Sequence, residues 1–197
     1  MREFARPIAA PSANRSGQLS PTQANHVAES FSGLSQPKII LAGGHTDAGV
    51  ESTIVDCTHD IPKILRPGSV TLEDLQAVVP EMLGYEPRVL AEGENPTAPG
   101  QLSRHYAPQT RVRLNAAEVF DGEVVLAFGP EPLWVRRANF ALNLSPSGDL
   151  AEAAHNLFSH LHQLDEMKAA AIAVMPIPNT GIGAALNDRL SRAAMRS

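Results

Sequence analysis

At 197 residues and a net charge of −5, the chain has room for one large or two small domains, and it is too acidic for a strong non-specific nucleic-acid binder, which is normally basic. Hydrophobic residues at 43% suffice for a packed core, but aromatics at 5% leave Leu, Val, Ile and Ala to fill it. The one cysteine, Cys57, excludes an intrachain disulfide and a cysteine-cage metal site. No apolar run reaches membrane-spanning length, and residues 1–14 lack the long apolar region of a leader peptide, so a cytoplasmic protein with no membrane partner is expected. Cys57 reads as a small buried residue, because nothing near it in sequence looks like an activating base.

Residues 7–10 form a short apolar run that reads as a strand, and Pro11-Ser12-Ala13-Asn14 as a turn. Ser20 is placed as an N-cap, with Pro21 at the first helical position and Gln23 completing a capping box. The helix it starts spans residues 22–31, with Ala24, Val27, Ala28 and Phe31 at helical spacing. Ser12, Asn14, Ser20 and Thr22 thus gather beside a helix N-terminus, an arrangement suited to an anion or nucleotide and equally to a plain strand–loop–helix link.

A buried strand is expected at residues 38–42, ended by Gly43-Gly44. Residues 51–56 alternate into another strand, so Ser52 and Thr53 face opposite sides, and residues 63–66 pair back as a hairpin. Arg66 ends that strand before Pro67-Gly68, where its guanidinium is placed either to grip a phosphate at two points or to pair with Asp56. Thr71 caps a helix over residues 71–79, with Glu73 and Asp74 at its positive end. Residues 80–108 are rich in Pro and Gly and read as a linker. There His105 and Tyr106 form an aromatic pair able to close on a flat ligand, or to stand in solvent.

Strands follow at residues 112–114, 123–128 and 170–174. Asp149 caps a long helix with Leu150, Ala153, Ala154, Leu157, Leu161 and Leu164 along one face, and a last helix spans residues 182–195. Alternating strands and helices imply a small parallel α/β layer. Gly129, and Gly181 with Gly183, lack the full G-x-G-x-x-G fingerprint and read as turns. Neither His45 with Asp47 nor His59 with Asp60 offers clear metal-ligand spacing, and His155, His160 and His162 read as solvated helix-surface residues.

PSANRSGQLSPT (residues 11–22), GVESTIVD (49–56) and ILRPG (64–68) resemble three successive active-site segments of the threonylcarbamoyl-AMP synthase family. SRHYAP (103–108) resembles the linker motif of its longer members, and NTGIGAALNDRLSRAA (179–194) is similar to the end of their C-terminal domain. The resemblance implies an α/β chain. A partial YrdC-like twisted sheet with helices fills residues 1–80, a linker spans 81–110, and a small Rossmann-like parallel α/β domain occupies 111–197. It implies joining of L-threonine, bicarbonate and ATP, with Mg²⁺ on the phosphates, into threonylcarbamoyl-AMP and pyrophosphate. The product would feed tRNA-modification machinery acting on an adenosine beside the anticodon.

By matching motifs, Ser12 and Ser52 help bind threonine, while Asn14, Thr22 or Ser20, Arg66 and the Arg104-His105 pair contact ATP. Such chemistry asks for positioning and charge neutralisation and needs no covalent enzyme intermediate. Family members begin with a further half-domain carrying basic phosphate-binding residues, whereas here Met1-Arg-Glu-Phe precedes the first motif almost directly. An incomplete site, a sheet lacking strands and inactivity of the chain alone are therefore expected. The alternative is a non-catalytic RNA- or nucleotide-binding module, although the acidic balance and few aromatics predict weak or no direct RNA binding.

Overall fold

The computed structural model describes residue 3 and residues 5–87 and 106–195. Little of the first fifty residues is regular. α1 (Ala24–Ser30) is followed by a hairpin of β1 (Ile54–Asp56) and β2 (Lys63–Arg66), then by the single-turn α2 (Leu72–Gln76). The hairpin pairing and the cap at Thr71 are as the sequence predicts, but the first strand covers only the second half of residues 51–56 and the helix stops at Gln76, short of residue 79. The Thr71 hydroxyl accepts from the Asp74 N–H, and the Asp74 carboxylate accepts from the Thr71 N–H at 3.0 Å.

Four expectations for this region fail. Residues 7–10 and 38–42 are irregular rather than strands, and Ile39 and Leu41 are 77% and 86% exposed. A strand holds only where a neighbour takes up its N–H and C=O groups, and among the described residues none pairs with either segment. The helix after Ser20 starts late: Gln23 is its N-cap and makes no side-chain cap bond. The Ser20 hydroxyl donates to the Glu51 carboxylate instead, a charged acceptor stronger than a backbone partner. Cys57 is exposed, in the turn between β1 and β2, rather than buried.

The second half forms a four-stranded parallel sheet from β3 (Val112–Arg113), β4 (Glu123–Ala127), β5 (Ala141–Asn143) and β6 (Ala171–Val174), in the order β3-β6-β4-β5. β5 and the 3₁₀ turn before it, Leu133–Arg137, have no counterpart among the predicted elements. β5 is a three-residue, half-buried edge strand, too short for alternation to register. α3 (Leu150–Glu166) and α4 (Gly183–Ala194) cover one sheet face. Asp149 caps α3 by accepting from the Ala151 and Glu152 N–H groups.

The alternation of strand side chains divides the core. Val124, Leu126, Ile172 and Val174 point at Leu157, Leu161, Leu186 and Leu190 of the two helices. Val125, Ala127 and Ala173 point the other way, onto Ala116 and Val135. Both faces are covered, so β4 after Glu123 reads as a continuous apolar run. Leu19 and Tyr106 join the larger cluster, which ties the opening segment to the helices. The Ala107 N–H donates to the Gly17 carbonyl at 3.0 Å, and the Tyr106 ring lies 5.8 Å from that of Phe158.

Candidate ligand site

Where the irregular first segment lies against α3, its turns enclose a groove of about 600 Å³. Ser12, Ser20, Thr22, His45, Asp47 and Glu51 supply its polar lining, while Val27, Ile40, Leu41 and Phe158 supply apolar wall. Ser12 and Glu51, thirty-nine positions apart in sequence, meet here because loop 43–50 folds back onto Thr22, just ahead of α1. The Thr46 N–H donates to the Thr22 carbonyl at 3.0 Å, and His45 Nε2 lies 3.4 Å from Thr22 Oγ1. Gly49 makes the fold-back possible. Its φ is +69°, and a Cβ there would stand 2.1 Å from the Ala154 carbonyl oxygen of α3.

Ser52 and Arg66 meet beside this groove. The Arg66 guanidinium donates from Nη2 to the Ser52 carbonyl at 2.9 Å and from Nε at 3.2 Å, with Nη2 3.4 Å from Ser52 Oγ. Arg66 therefore sits on Ser52 rather than in the Asp56 pair that the sequence also allowed. Gly68 lets the two strands approach, since a Cβ there would lie 2.4 Å from the Glu51 carbonyl oxygen and 2.3 Å from the Thr53 nitrogen. Asn14 is turned into its own loop. Its amide donates to the carbonyls of Arg15 at 3.2 Å and Gln18 at 3.0 Å, and its buried Oδ1 has no hydrogen-bond partner among the described residues. Arg104 and His105 lie outside the described residues.

The α3 histidines pack against the site and are not solvated helix-surface residues. The His162 ring stacks on that of His26 at 4.0 Å, and its Nε2–H donates to the Ser20 carbonyl at 3.2 Å. The His155 ring lies 4.1 Å from that of His45, and its Nδ1–H donates to the Asp47 carbonyl at 3.0 Å. Their face of α3 is covered by the first segment, as the leucine face is covered by the sheet. His26 Nδ1 accepts from the Thr22 N–H at 3.2 Å, which requires an unprotonated nitrogen. Burial, with His162 and His45 nearby, pushes the His26 pKa from 6.5 down to about 4.

Glu51 and Arg189, two groups on which the site rests, are not marked as site residues by any motif in the sequence. Glu51 takes the Ser20 hydroxyl on one oxygen and Arg189 Nε at 2.7 Å on the other. An Arg on the inner face of a helix was the available signal, since arginine is buried only when paired. Among the described residues, no group of three or more His, Cys, Asp or Glu could hold a metal ion, and no helix is long and apolar enough to cross a membrane.

A family model described as threonylcarbamoyl-AMP synthase, C-terminal domain, matches residues 70–195, and one described as telomere recombination matches residues 1–68. The threonylcarbamoyl-AMP synthase of Bacillus subtilis is 35% identical, with 98% of this chain and 59% of that protein covered. Its counterpart from Pyrococcus abyssi is also 35% identical, with 96% and 58% covered. The crystal structure of P. abyssi Sua5 complexed with L-threonine superposes with a TM-score of 0.81 at 34% identity, covering 96% of this chain and 58% of that one. The chain thus spans about three-fifths of the length of these relatives. With a matching family model over most of its length and the α/β architecture in common, the chain belongs to the threonylcarbamoyl-AMP synthase family.

Proposed function

We propose that this chain carries the threonine side and part of the ATP side of an L-threonylcarbamoyladenylate synthase, acting in the cytoplasm ahead of tRNA-modification machinery. In this reading residues 1–80 are the catalytic part, 81–110 the linker and 111–197 the C-terminal α/β domain. Ser12 and Ser52 hold L-threonine, and Asn14, Ser20, Thr22, Arg66, Arg104 and His105 hold ATP. The observation that carries the reading is convergence: Ser12, Ser20, Thr22 and Glu51 line one groove, and Ser52 is locked to Arg66 in the next position along the chain. The buried Oδ1 of Asn14, without a hydrogen-bond partner among the described residues, is a further acceptor within the first motif.

The reaction needs no nucleophile from the protein. The threonine amine attacks the bicarbonate carbon with loss of water, and the resulting carbamate oxygen attacks the α-phosphate as pyrophosphate leaves. Hydroxyls and an arginine fork orient the reactants and neutralise developing charge. Asp47 is the groove carboxylate that neither Ser20 nor Arg189 holds, and one carboxylate with substrate phosphates is an ordinary Mg²⁺ environment. Mg²⁺ is accordingly read as part of the ATP substrate.

The groove lining among the described residues includes no lysine or arginine, so a triphosphate finds little positive charge there beyond Arg66 nearby. The purified chain is expected to bind L-threonine and ATP saturably but to release pyrophosphate near the background rate when bicarbonate is added. Binding of neither ligand contradicts the reading. Tight, salt-sensitive retention of tRNA on filters without threonine or ATP affinity favours the RNA-binding module instead.

A further inference from the structure

We infer that Arg189 of α4 is a positioning residue for the ligand groove, through which the C-terminal α/β unit sets the geometry of the threonine and ATP segments. The inference rests on the functional reading above and deepens it. Arg189 is fully buried and donates in three directions. Nε donates to Glu51 at 2.7 Å, Nη1 to Asp188 at 2.7 Å and Nη2 to the Pro67 carbonyl at 3.0 Å. Its guanidinium lies 5.1 Å from the centre of the Tyr106 ring.

Three of the four partners, Glu51, Pro67 and Tyr106, adjoin a ligand segment. Glu51 precedes Ser52 and holds the Ser20 hydroxyl, and Pro67 follows Arg66, which holds Ser52. Tyr106 lies in the last part of the linker and is followed by the Ala107 N–H bound to Gly17. One guanidinium therefore fixes the spacing among the first, second and third motifs and the linker's end. Arg189 falls in the part of the chain matched by the C-terminal family model, and Glu51 and Pro67 in the part matched by the other.

The chemistry favours positioning over bulk stability. A buried cation loses its hydration, so even a well-paired one adds little net stability over an apolar substitute. What a planar fork provides is direction: three acceptors must stand where its N–H groups point. Behind it, Asp188 is itself fixed by Tyr85 at 2.6 Å and Arg192 at 3.1 Å, so the fork cannot swing with its helix turn. Lysine in its place keeps the charge but cannot serve the three acceptors together.

The test compares the chain with Arg189→Lys and Arg189→Met, and with Leu190→Ala as a stability control. Leu190 is buried against the sheet on the same helix and bonds to no groove segment. L-threonine affinity is measured by calorimetry well below each melting temperature, and amide hydrogen exchange is followed at Ser52, Thr53 and Gly68. Both Arg189 variants are expected to weaken threonine binding about tenfold or more. They are also expected to speed exchange at those three amides while the β4 amides keep their protection. Leu190→Ala is expected to lower the melting temperature with threonine affinity unchanged.

Threonine affinity in the Arg189 variants within twofold of the parent chain, or matched by equal losses in Leu190→Ala, overturns the inference. If the parent chain binds no threonine, the functional reading fails, and the exchange data still decide whether Arg189 orders the three segments. Local loosening at Ser52, Thr53 and Gly68 supports the inference; unchanged or uniformly raised exchange overturns it.

Discussion

Residues 111–195 bury Val125, Leu126, Leu157 and Leu186 completely, whereas the large apolar side chains buried among residues 5–87 are Leu19, Ile64 and Met82. The second region packs its own two-faced core. The first is held to it by directional contacts: the Glu51–Arg189 ion pair, two histidine ring pairs and hydrogen bonds to α3. A surface built from loops can gather ligand-binding groups from distant positions, but it needs a rigid support. Here the parallel α/β unit is that support.

If this division of labour is right, a cavity in the second core should cost most. Leu126→Ala is expected to lower unfolding free energy by about 3 kcal/mol in urea denaturation. A loss under about 1 kcal/mol contradicts the assignment of the core to this unit. Gly68→Ala probes the crowded strand approach beside Ser52. Its Cβ would overlap backbone atoms of residues 51–53, so a loss of about 2 kcal/mol is expected, together with weakened threonine binding in calorimetry.

Acid should loosen the joint before it loosens the core. The folded-state pKa of His26 lies below its ordinary value, so the unfolded chain binds the proton more readily. The stabilisation is full above about pH 6.5 and falls as the pH drops toward 4. His160 and His162 are shifted the same way by burial, and His45, His155, Glu29, Asp47, Glu51, Asp165 and Glu166 are further titratable groups around the joint. Between pH 7 and 5 the His26 contribution is expected to shrink by about 1 to 2 kcal/mol. A His26→Asn variant should show a shallower dependence of the urea midpoint on pH; an unchanged slope removes His26 from the account. The smallest effect is expected at the exposed apolar segment, where Leu41→Ser should change unfolding free energy by less than about 0.5 kcal/mol.

The second region was the more legible in sequence, because its elements satisfy themselves locally. Asp149 caps α3, the leucine stripe finds the sheet, and residues 123–128 and 170–174 become strands within one residue at their ends. The first region misled where the deciding partner was remote. Ser20 looked like a cap, and a carboxylate thirty-one residues on takes its hydroxyl. Residues 38–42 had the composition of a buried strand, but pairing is not a property of the segment itself. The motif residues Ser12, Ser20, Thr22, Ser52 and Arg66 were named from spelling and come together in two adjoining clusters. Glu51 and Arg189 carry no such signal, because their roles depend on which element lies across from them.

The most direct test of the central claim is an L-threonine titration of the ¹⁵N-labelled chain followed by amide NMR. Saturable shifts are expected at Ser12, Ser20, Thr22 and Ser52, with the amides of β4 unmoved. An absence of saturable shifts, or shifts confined to residues 111–195, contradicts the assignment of the ligand site.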